Sequence, residues 1–369
     1  MAKIEPSLPL LATLPSLSEF PILQPSPLTG LARTAAEAPL DSTGCLTEYR
    51  PLTSRTILNK VTSNRRMPFS HAINPYRGCE FACRYCYARY THEFLEMGAE
   101  QFERKIYFKQ NAGWLLEQEL KRLKPGTEIA IGTATDPYQP LERKLKITRS
   151  LLEVFARHSG FRLGIISKSA LISRDIDLLK EIAKNNKLTV HTTVTTMNAK
   201  LARKLEPRAP RPDLRMRTVA ELREAGLRAG VMCSPLMPGI TDGASSIRAV
   251  ARAAAAAGAS FMASGALFLK PCSLPTFLEF VGEHFPEQLG AYKRRYAGSA
   301  FVSQAYRERM AALVDQICRE FKLGKRYLYE DAAKEEGAPA VEMQPWLPFA
   351  GAPRQTCDHS ASSPIALSS

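Results

Sequence analysis

Short apolar runs alternating with amphipathic helical stretches predict an α/β fold built on a parallel sheet of about six strands, closed into a barrel or partial barrel. Two further observations support this class. The runs are rich in Ile, Val and Leu, as strands covered on both faces are. The 369 residues leave room for one large domain of about 250–300 residues plus tails. An open doubly wound sheet would show the same alternation, and strand counting alone does not exclude it.

In chain order, residues 1–47 are rich in Pro, Ser, Ala and Leu without a sustained period and read as a disordered leader. A folded domain is expected over 48–333 and a flexible tail over 334–369, which ends "HSASSPIALSS". A first strand ends at "FSHAINPY", and further strands are expected at 128–132, 162–167, 188–194, 227–233 and 260–269. Helices fall between them. "AGWLLEQELKRL" (112–123) places Leu116, Leu120 and Leu123 on one stripe, with Glu117 four residues before Lys121. "SRDIDLLKEIAKNN" (173–186) opens with a serine cap and turns Ile176, Leu179 and Ile182 inward. "SSIRAVARAAAAAG" (245–258) runs from serine to glycine. The apolar stretch at 249–269 is interrupted by Arg252 and Gly258, so it reads as a helix followed by a strand rather than a membrane span.

Composition narrows the partners. A net charge of +14 favours polyanions such as DNA or RNA, although a basic solvated surface would give the same number. "RKLEPRAPRPDLRMR" (203–217) holds six basic residues, and "KRRYAG" (293–298) and "KLGKRYLY" (322–329) add more beside tyrosines. Such segments suit phosphate contact and stacking; the alternative for 203–217 is pairing with Glu206, Asp213 and Glu221. Five of the eight cysteines are scattered, and only Cys79, Cys83 and Cys86 cluster. That usage points to metal ligation in a reducing cytoplasm rather than to disulfides.

Three thiols at C-x3-C-x2-C need explaining. A structural zinc ion wants four ligands, so a zinc knot would have to recruit His92 or His71. A [4Fe–4S] cluster on three cysteines instead keeps one iron open for a ligand. A non-catalytic zinc or iron–sulfur nucleic-acid module stays open beside an enzyme at this point.

The pattern Cys79, Cys83, Tyr85, Cys86 resembles the signature of radical S-adenosylmethionine (radical SAM) enzymes. The longer "NPYRGCEFACRYCYARYTH" with "ATDPYQPLERKLKITRSLLE" resembles the subgroup related to spore photoproduct lyase, a DNA-repair-photolyase-like lyase group, over about residues 59–323. The resemblance implies a partial (β/α)6 barrel of the TIM type. It also implies one [4Fe–4S] cluster on the three cysteines, S-adenosylmethionine (AdoMet) on its open iron, and reductive cleavage to a 5′-deoxyadenosyl radical. A reductant such as flavodoxin or ferredoxin is implied as partner; with the basic composition, a nucleic acid or nucleotide is the expected substrate, and a protein or small molecule the alternative. Tyr85 would lie beside adenine. Gly132, Thr133, Thr135 and Asp136 stand where the family holds the AdoMet ammonium, and Ser167 and Lys168 within reach of its ribose and carboxylate. Ala82 departs from the family's glycine before the second cysteine. No cysteine lies between Cys86 and Cys233, where a spore photoproduct lyase keeps its hydrogen-donating cysteine. Cys233, Cys272 and Tyr138 are therefore the candidate donors, each equally at home as a core residue.

Overall fold

The computed structural model describes residues 28–44, 46–61, 68–324 and 326. Its strands are β1 (Ser42–Thr43), β2 (Glu48–Pro51), β3 (Leu58–Lys60), β4 (His71–Ile73), β5 (Tyr76–Arg77) and β6 (Lys105–Phe108). They continue with β7 (Glu128–Ile131), β8 (Arg162–Ser167), β9 (Lys187–Thr193), β10 (Ala229–Leu236) and β11 (Met262–Ala266). The larger sheet has the order β11-β10-β9-β8-β7-β4-β3. Its six strands from β4 to β11 pair in parallel, and β3 closes one edge antiparallel to β4. Each parallel strand adds beside the one before it with no reversal of direction. A doubly wound sheet must reverse at a switch point, so the topology selects the partial (β/α)6 barrel.

Patterning on β8 shows why the layers form. Its burial alternates, with Leu163 and Ile165 packed against Leu179, Ile182 and Phe155 of the helix layer. Ile166, pointing the other way, lines a cavity inside the barrel. Leu179 and Ile182 are fully buried, and each such side chain contributes about 2 kcal/mol. The expected strands fall close to their forecast positions, the one at 162–167 with no shift.

Local details differ. Ser173 does not cap its helix: a 3-10 turn over Ala170–Asp175, capped by Ser169 accepting from Leu171 N, precedes the α-helix Ile176–Asn185. Ser173 Oγ donates to Glu221 instead, 2.5 Å away. Glu117 pairs with Arg157 and His158, just past the end of the helix Ile147–Ala156, rather than with Lys121. The alanine-rich stretch divides into the helix Ala244–Ala256 and β11. Among the described residues no helix is long and apolar enough to cross a membrane.

The expectation of a structureless leader up to residue 47 needs correcting in its last third. Gly30–Glu37 is a helix with Ala32 and Ala35 buried, and β1 pairs with β2. Alanine-rich and short, this helix has no local signature; docking against Leu52, Leu95 and Tyr107 stabilises it. Residues 1–27 and the expected tail over 334–369 lie outside the described residues. The smaller sheet, β1-β2-β6-β5, brackets the cysteine loop, because β5 enters that loop and β6 follows it.

If the helix Gly30–Glu37 belongs to the fold, Ala35→Asp places an unpaired carboxylate in a buried site. Chemical denaturation is expected to show a loss of about 2–4 kcal/mol; an unchanged midpoint would mean the segment does not dock.

Candidate active site

The three cysteines lie on the loop between β5 and the 3-10 turn at Tyr87–Arg89. Gly78 starts the loop at φ +88, and a Cβ there would sit 2.7 Å from Phe102 O and 2.8 Å from Lys105 O, so only glycine fits. Cys79 N then donates to Phe102 O at 3.1 Å, and Cys86 N to Cys83 O at 3.2 Å. Ala82 adopts φ +54, the left-handed region where relatives' glycine would be unstrained. All three thiols are free. Burial raises the pKa of each, that of Cys83 to about 12.

The stretch after β7 braces this loop. Thr135 Oγ1 donates to Gly78 O at 2.6 Å, and Gln139 Nε2 reaches the same carbonyl at 3.4 Å. Gln139 Oε1 accepts from Glu80 N at 3.0 Å, while Glu80 Oε1 accepts from Leu141 N at 3.0 Å. Glu80 Oε2 accepts from Tyr49 OH at 2.8 Å, which joins the smaller sheet to the brace. Asp136 ties the brace to the next strand: its carboxylate accepts from Tyr138 N, Ser167 Oγ and Lys168 N at 2.8–2.9 Å. Asn74 at the end of β4 holds Thr133 and Ala134 N. Gly132, at φ +89, would place a Cβ 2.6 Å from Ile166 O, so here too the backbones approach too closely for a side chain.

Behind Tyr85 lies a buried charged group. Tyr85 OH hydrogen-bonds Glu206, which Thr195 Oγ1 also reaches at 3.0 Å. Arg215 pairs with Glu206 at 2.5 Å, both side chains 1% exposed. Burial opposes the charge on Glu206, but Arg215 and then Lys168 outweigh it and hold its pKa below the usual carboxylate range. Burial likewise opposes the Lys168 charge, and Cys83, Glu206 and Asp136 override it, raising its pKa. The Lys168 ammonium lies 5.9 Å over the Tyr85 ring and faces the cavity.

One cavity of ≈ 1010 Å³, mouth included, collects these groups. Cys79, Cys83, Cys86 and Tyr85 line it together with Gly132, Thr133, Thr135 and Asp136, and with Ser167 and Lys168 from the end of β8. Every residue expected to hold cluster or cofactor is thus brought to one place, at the C-terminal ends of the strands. Ser167 and Asp136 bond each other there, bracing the wall as well as lining it.

The expected hydrogen donors are not in the cavity lining. Met232 and Ser234 line it, so the alternation of β10 turns the intervening Cys233 into the core, towards Cys318. Tyr138 is 1% exposed in the core on the helix side, beside Asp175 and Glu142. Cys272 lies outside, near Lys270 and Glu93, although Ser273 beside it donates to Cys86 O at 2.8 Å. The histidines proposed for a zinc knot are also placed elsewhere. His92 Nε2 lies 3.0 Å from Lys105 O with its ring edge-on to Phe102, and His71 sits at the opposite end of β4, against Ser70. Among the described residues no three His, Cys, Asp or Glu side chains converge on a single-ion site.

The basic segment 203–217 is largely a set of fasteners. Arg215 pairs with Glu206 and Arg211 with Asp213, while Arg203 donates to Pro207 O and Arg208 to Thr47 and Glu103 O. Glu80, Gln139, Asn74 and Glu206 were missed as site residues. Glu80, Gln139 and Asn74 stood inside the quoted motifs, but their partners lie far along the chain.

Three outcomes follow from this geometry. Arg215→Leu strands the Glu206 charge and is expected to cost about 3–5 kcal/mol in denaturation, much of it recovered by adding Glu206→Leu. Ala82→Gly is expected to raise stability by about 1 kcal/mol; a loss would mean the left-handed turn is unstrained. Burial lowers the His92 pKa to about 4 from 6.5. The unfolded chain therefore binds the extra proton first: stability from this group is full above pH 6.5 and falls, by up to about 3 kcal/mol, as pH drops towards 4. His92→Gln should flatten that acid limb in denaturation midpoints between pH 7 and pH 4.5.

Comparison with known proteins agrees with the geometry. The Radical SAM superfamily model matches residues 73–249. An uncharacterized protein of Mycobacterium tuberculosis is 30% identical over 301 residues, covering 81% of this chain and 88% of the relative. The Radical SAM Nalpha-GlyT isomerase of Pseudomonas phage M6 is 27% identical over 187 residues, 49% of this chain and 37% of that protein. Among solved structures, spore photoproduct lyase complexed with dinucleoside spore photoproduct aligns with a TM-score of 0.54 at 14% identity, over 74% of this chain and 79% of that one. A variant of that lyase with bound AdoMet and the dinucleoside aligns at 0.53 and 15%, over 73% and 78%. At such identities the likeness is one of fold. Superfamily members use a [4Fe–4S] cluster and AdoMet, and the donor set fits them: three thiols on one loop, with a buried ammonium facing the same cavity. The chain belongs to the radical SAM superfamily and is a radical SAM enzyme.

Proposed function

We propose that the substrate is a nucleobase of a nucleic acid or nucleotide, presented to the cavity by stacking. The observation that carries this reading is an aromatic run leading inward from the surface. Half-buried Phe301 packs on Phe268 in a tilted pair, with centroids 4.7 Å apart and planes at 32°. Phe268 lines the cavity and lies 5.9 Å from Tyr87, the residue after Cys86. Tyr87 is held by its hydroxyl on Thr133 O. Such a wall accepts any planar ring, and base–aromatic stacking is worth about 1–3 kcal/mol. The net charge of +14 favours the same partner. Support of a second kind comes from relatives: the fold neighbour is complexed with a dinucleoside photoproduct, and the phage relative is named for a GlyT substrate.

In this reading Cys79, Cys83 and Cys86 ligate the cluster, and the Gly132–Asp136 stretch with Lys168 receives the amino and carboxylate groups of AdoMet. Tyr85, with its hydroxyl committed to Glu206, offers its ring to adenine. The bound pair supplies the hydrogen-abstracting radical chemistry of the superfamily. The chain's part is to keep the wall rigid and the thiols sealed from water. A cytoplasmic reductant of the flavodoxin or ferredoxin type supplies electrons.

The test is anaerobic turnover of the cluster-loaded chain with oligonucleotides and nucleotides deuterated on base and sugar carbons. Deuterium is expected in 5′-deoxyadenosine, and none with Cys83→Ala. Phe268→Ala is expected to lower the transfer at least fivefold. Label arriving only from peptides or unrelated small molecules would overturn the reading.

A further inference from the structure

The helix Pro286–Arg295 ends in three consecutive exposed cations, Lys293, Arg294 and Arg295. A fourth, Arg309 of the helix Gln304–Glu320, is exposed with its guanidinium 5.4 Å over the Tyr306 ring. Arg295 lies 5.8 Å over the ring of Tyr292, so each of the two arginines is held over its own tyrosine. Among the described residues none of the four makes an ion pair, and the neighbouring acids are occupied. Asp242 accepts from Tyr306 OH at 2.9 Å and from Gly239 N at 2.8 Å, and Glu308 accepts from Gln304 at 2.8 Å.

Beneath this surface Tyr292 and Tyr296 stack at 6.2 Å, 4° from parallel. Their hydroxyls fasten it to the cavity wall. Tyr296 OH donates to Leu267 O at 3.0 Å, and Leu267 lines the cavity. Tyr292 OH donates to Pro238 O at 2.7 Å, on the loop that runs on from Ser234 and Pro235, also lining residues. The helix that ends in three of these cations therefore packs against the cavity wall on the β10–β11 side, partly through the carbonyl of Leu267, the residue before Phe268.

We propose that Lys293, Arg294, Arg295 and Arg309 form a docking surface for the phosphates of a single-stranded nucleic acid whose target base enters the cavity. This rests on the reading of a nucleobase substrate. A base can enter only when out of its stack, and the phosphates flanking it then pass over the rim. Guanidiniums held over tyrosine rings present planar forks to phosphate oxygens. The segment at 203–217, richer in basic residues, has Arg203, Arg208, Arg211 and Arg215 engaged with carboxylates, carbonyls or a hydroxyl, which makes it the weaker candidate.

The experiment measures binding of a labelled mixed-sequence 20-nucleotide single-stranded DNA to the cluster-loaded full chain between 50 and 300 mM salt. The variant replaces Lys293, Arg294, Arg295 and Arg309 by Gln. A control replaces Lys121, Arg122, Lys124 and Lys180, removing the same number of charges from the helices at 112–120 and 176–185 and their ends. Each lost phosphate contact lowers the slope of log K against log salt by about 0.7, so the variant should lose about 2–3 units of slope and the control almost none. Iron content and far-UV circular dichroism identify any misfolded variant, for which the single substitutions Arg294→Gln and Arg309→Gln, each losing about 0.7, replace it. Equal slopes in variant and control overturn the docking surface and leave the substrate reading standing. A wild-type chain that binds no strand but binds an acidic flavodoxin through these residues overturns the docking surface, and with it the polymer form of the substrate reading; free nucleotides then remain to be tested by deuterium transfer.

Discussion

The carbonyl of Gly78 and the amide of Glu80 flank Cys79, and where these two groups go decides where the first thiol sits. The chain has left β5 by then, so neither group has a ladder partner, and burial would make an orphan of each expensive. Thr135 and Gln139 satisfy the carbonyl, and Gln139 the amide. The Glu80 side chain returns the bond to Leu141 N. The composition of the run after β7 then has reasons: Thr and Gln supply donors of the right reach, and Asp136 gathers three donors from two elements. Pro137 has no N–H and so asks for no acceptor. Cysteine loop, β7 and β8 become one hydrogen-bonded wall, and the smaller sheet is tied to it through Tyr49.

Charge in this wall is arranged for specificity rather than for strength. A buried pair such as Glu206–Arg215 roughly balances attraction against lost hydration, so it adds little net stability. What it does is hold Tyr85 by the hydroxyl and leave Lys168 as the cation that faces the cavity. The carboxylates around it, Asp136 and Glu206, are already engaged with hydroxyls, amides or Arg215. An anionic group entering the cavity therefore meets an ammonium kept charged by its surroundings, in a setting of low polarity where the interaction is strong.

The basic residues divide by the same logic. Those in 203–217 mostly end on carboxylates or carbonyls, and hold the cysteine loop's neighbours together; Arg208, for example, reaches back to Thr47 in the smaller sheet. Among the described residues those at the end of the helix Pro286–Arg295 pair with no acid and stay exposed. Counting charge along the chain weighs the two groups alike. Only their partners separate a fastener from a surface.

What the amino-acid order determined by itself was whatever short spacing encodes. Apolar runs of strand length at 162–167 and 188–194, helical stripes such as Leu179 with Ile182, and three thiols within eight positions all act over a few residues. They yielded the parallel α/β class and singled out the cysteine loop, whose cluster the family resemblance then implied. The tertiary structure alone decided that the sheet curls without a switch point, that the helix Gly30–Glu37 docks, and that Cys233 and Tyr138 face the core. It also decided that Glu80 meets Gln139 59 positions away and Tyr85 meets Glu206 121 positions away. The reason is physical: periodicity records which face of an element is buried, whereas the partner of a buried polar group is fixed only when distant segments pack and each donor must find its acceptor.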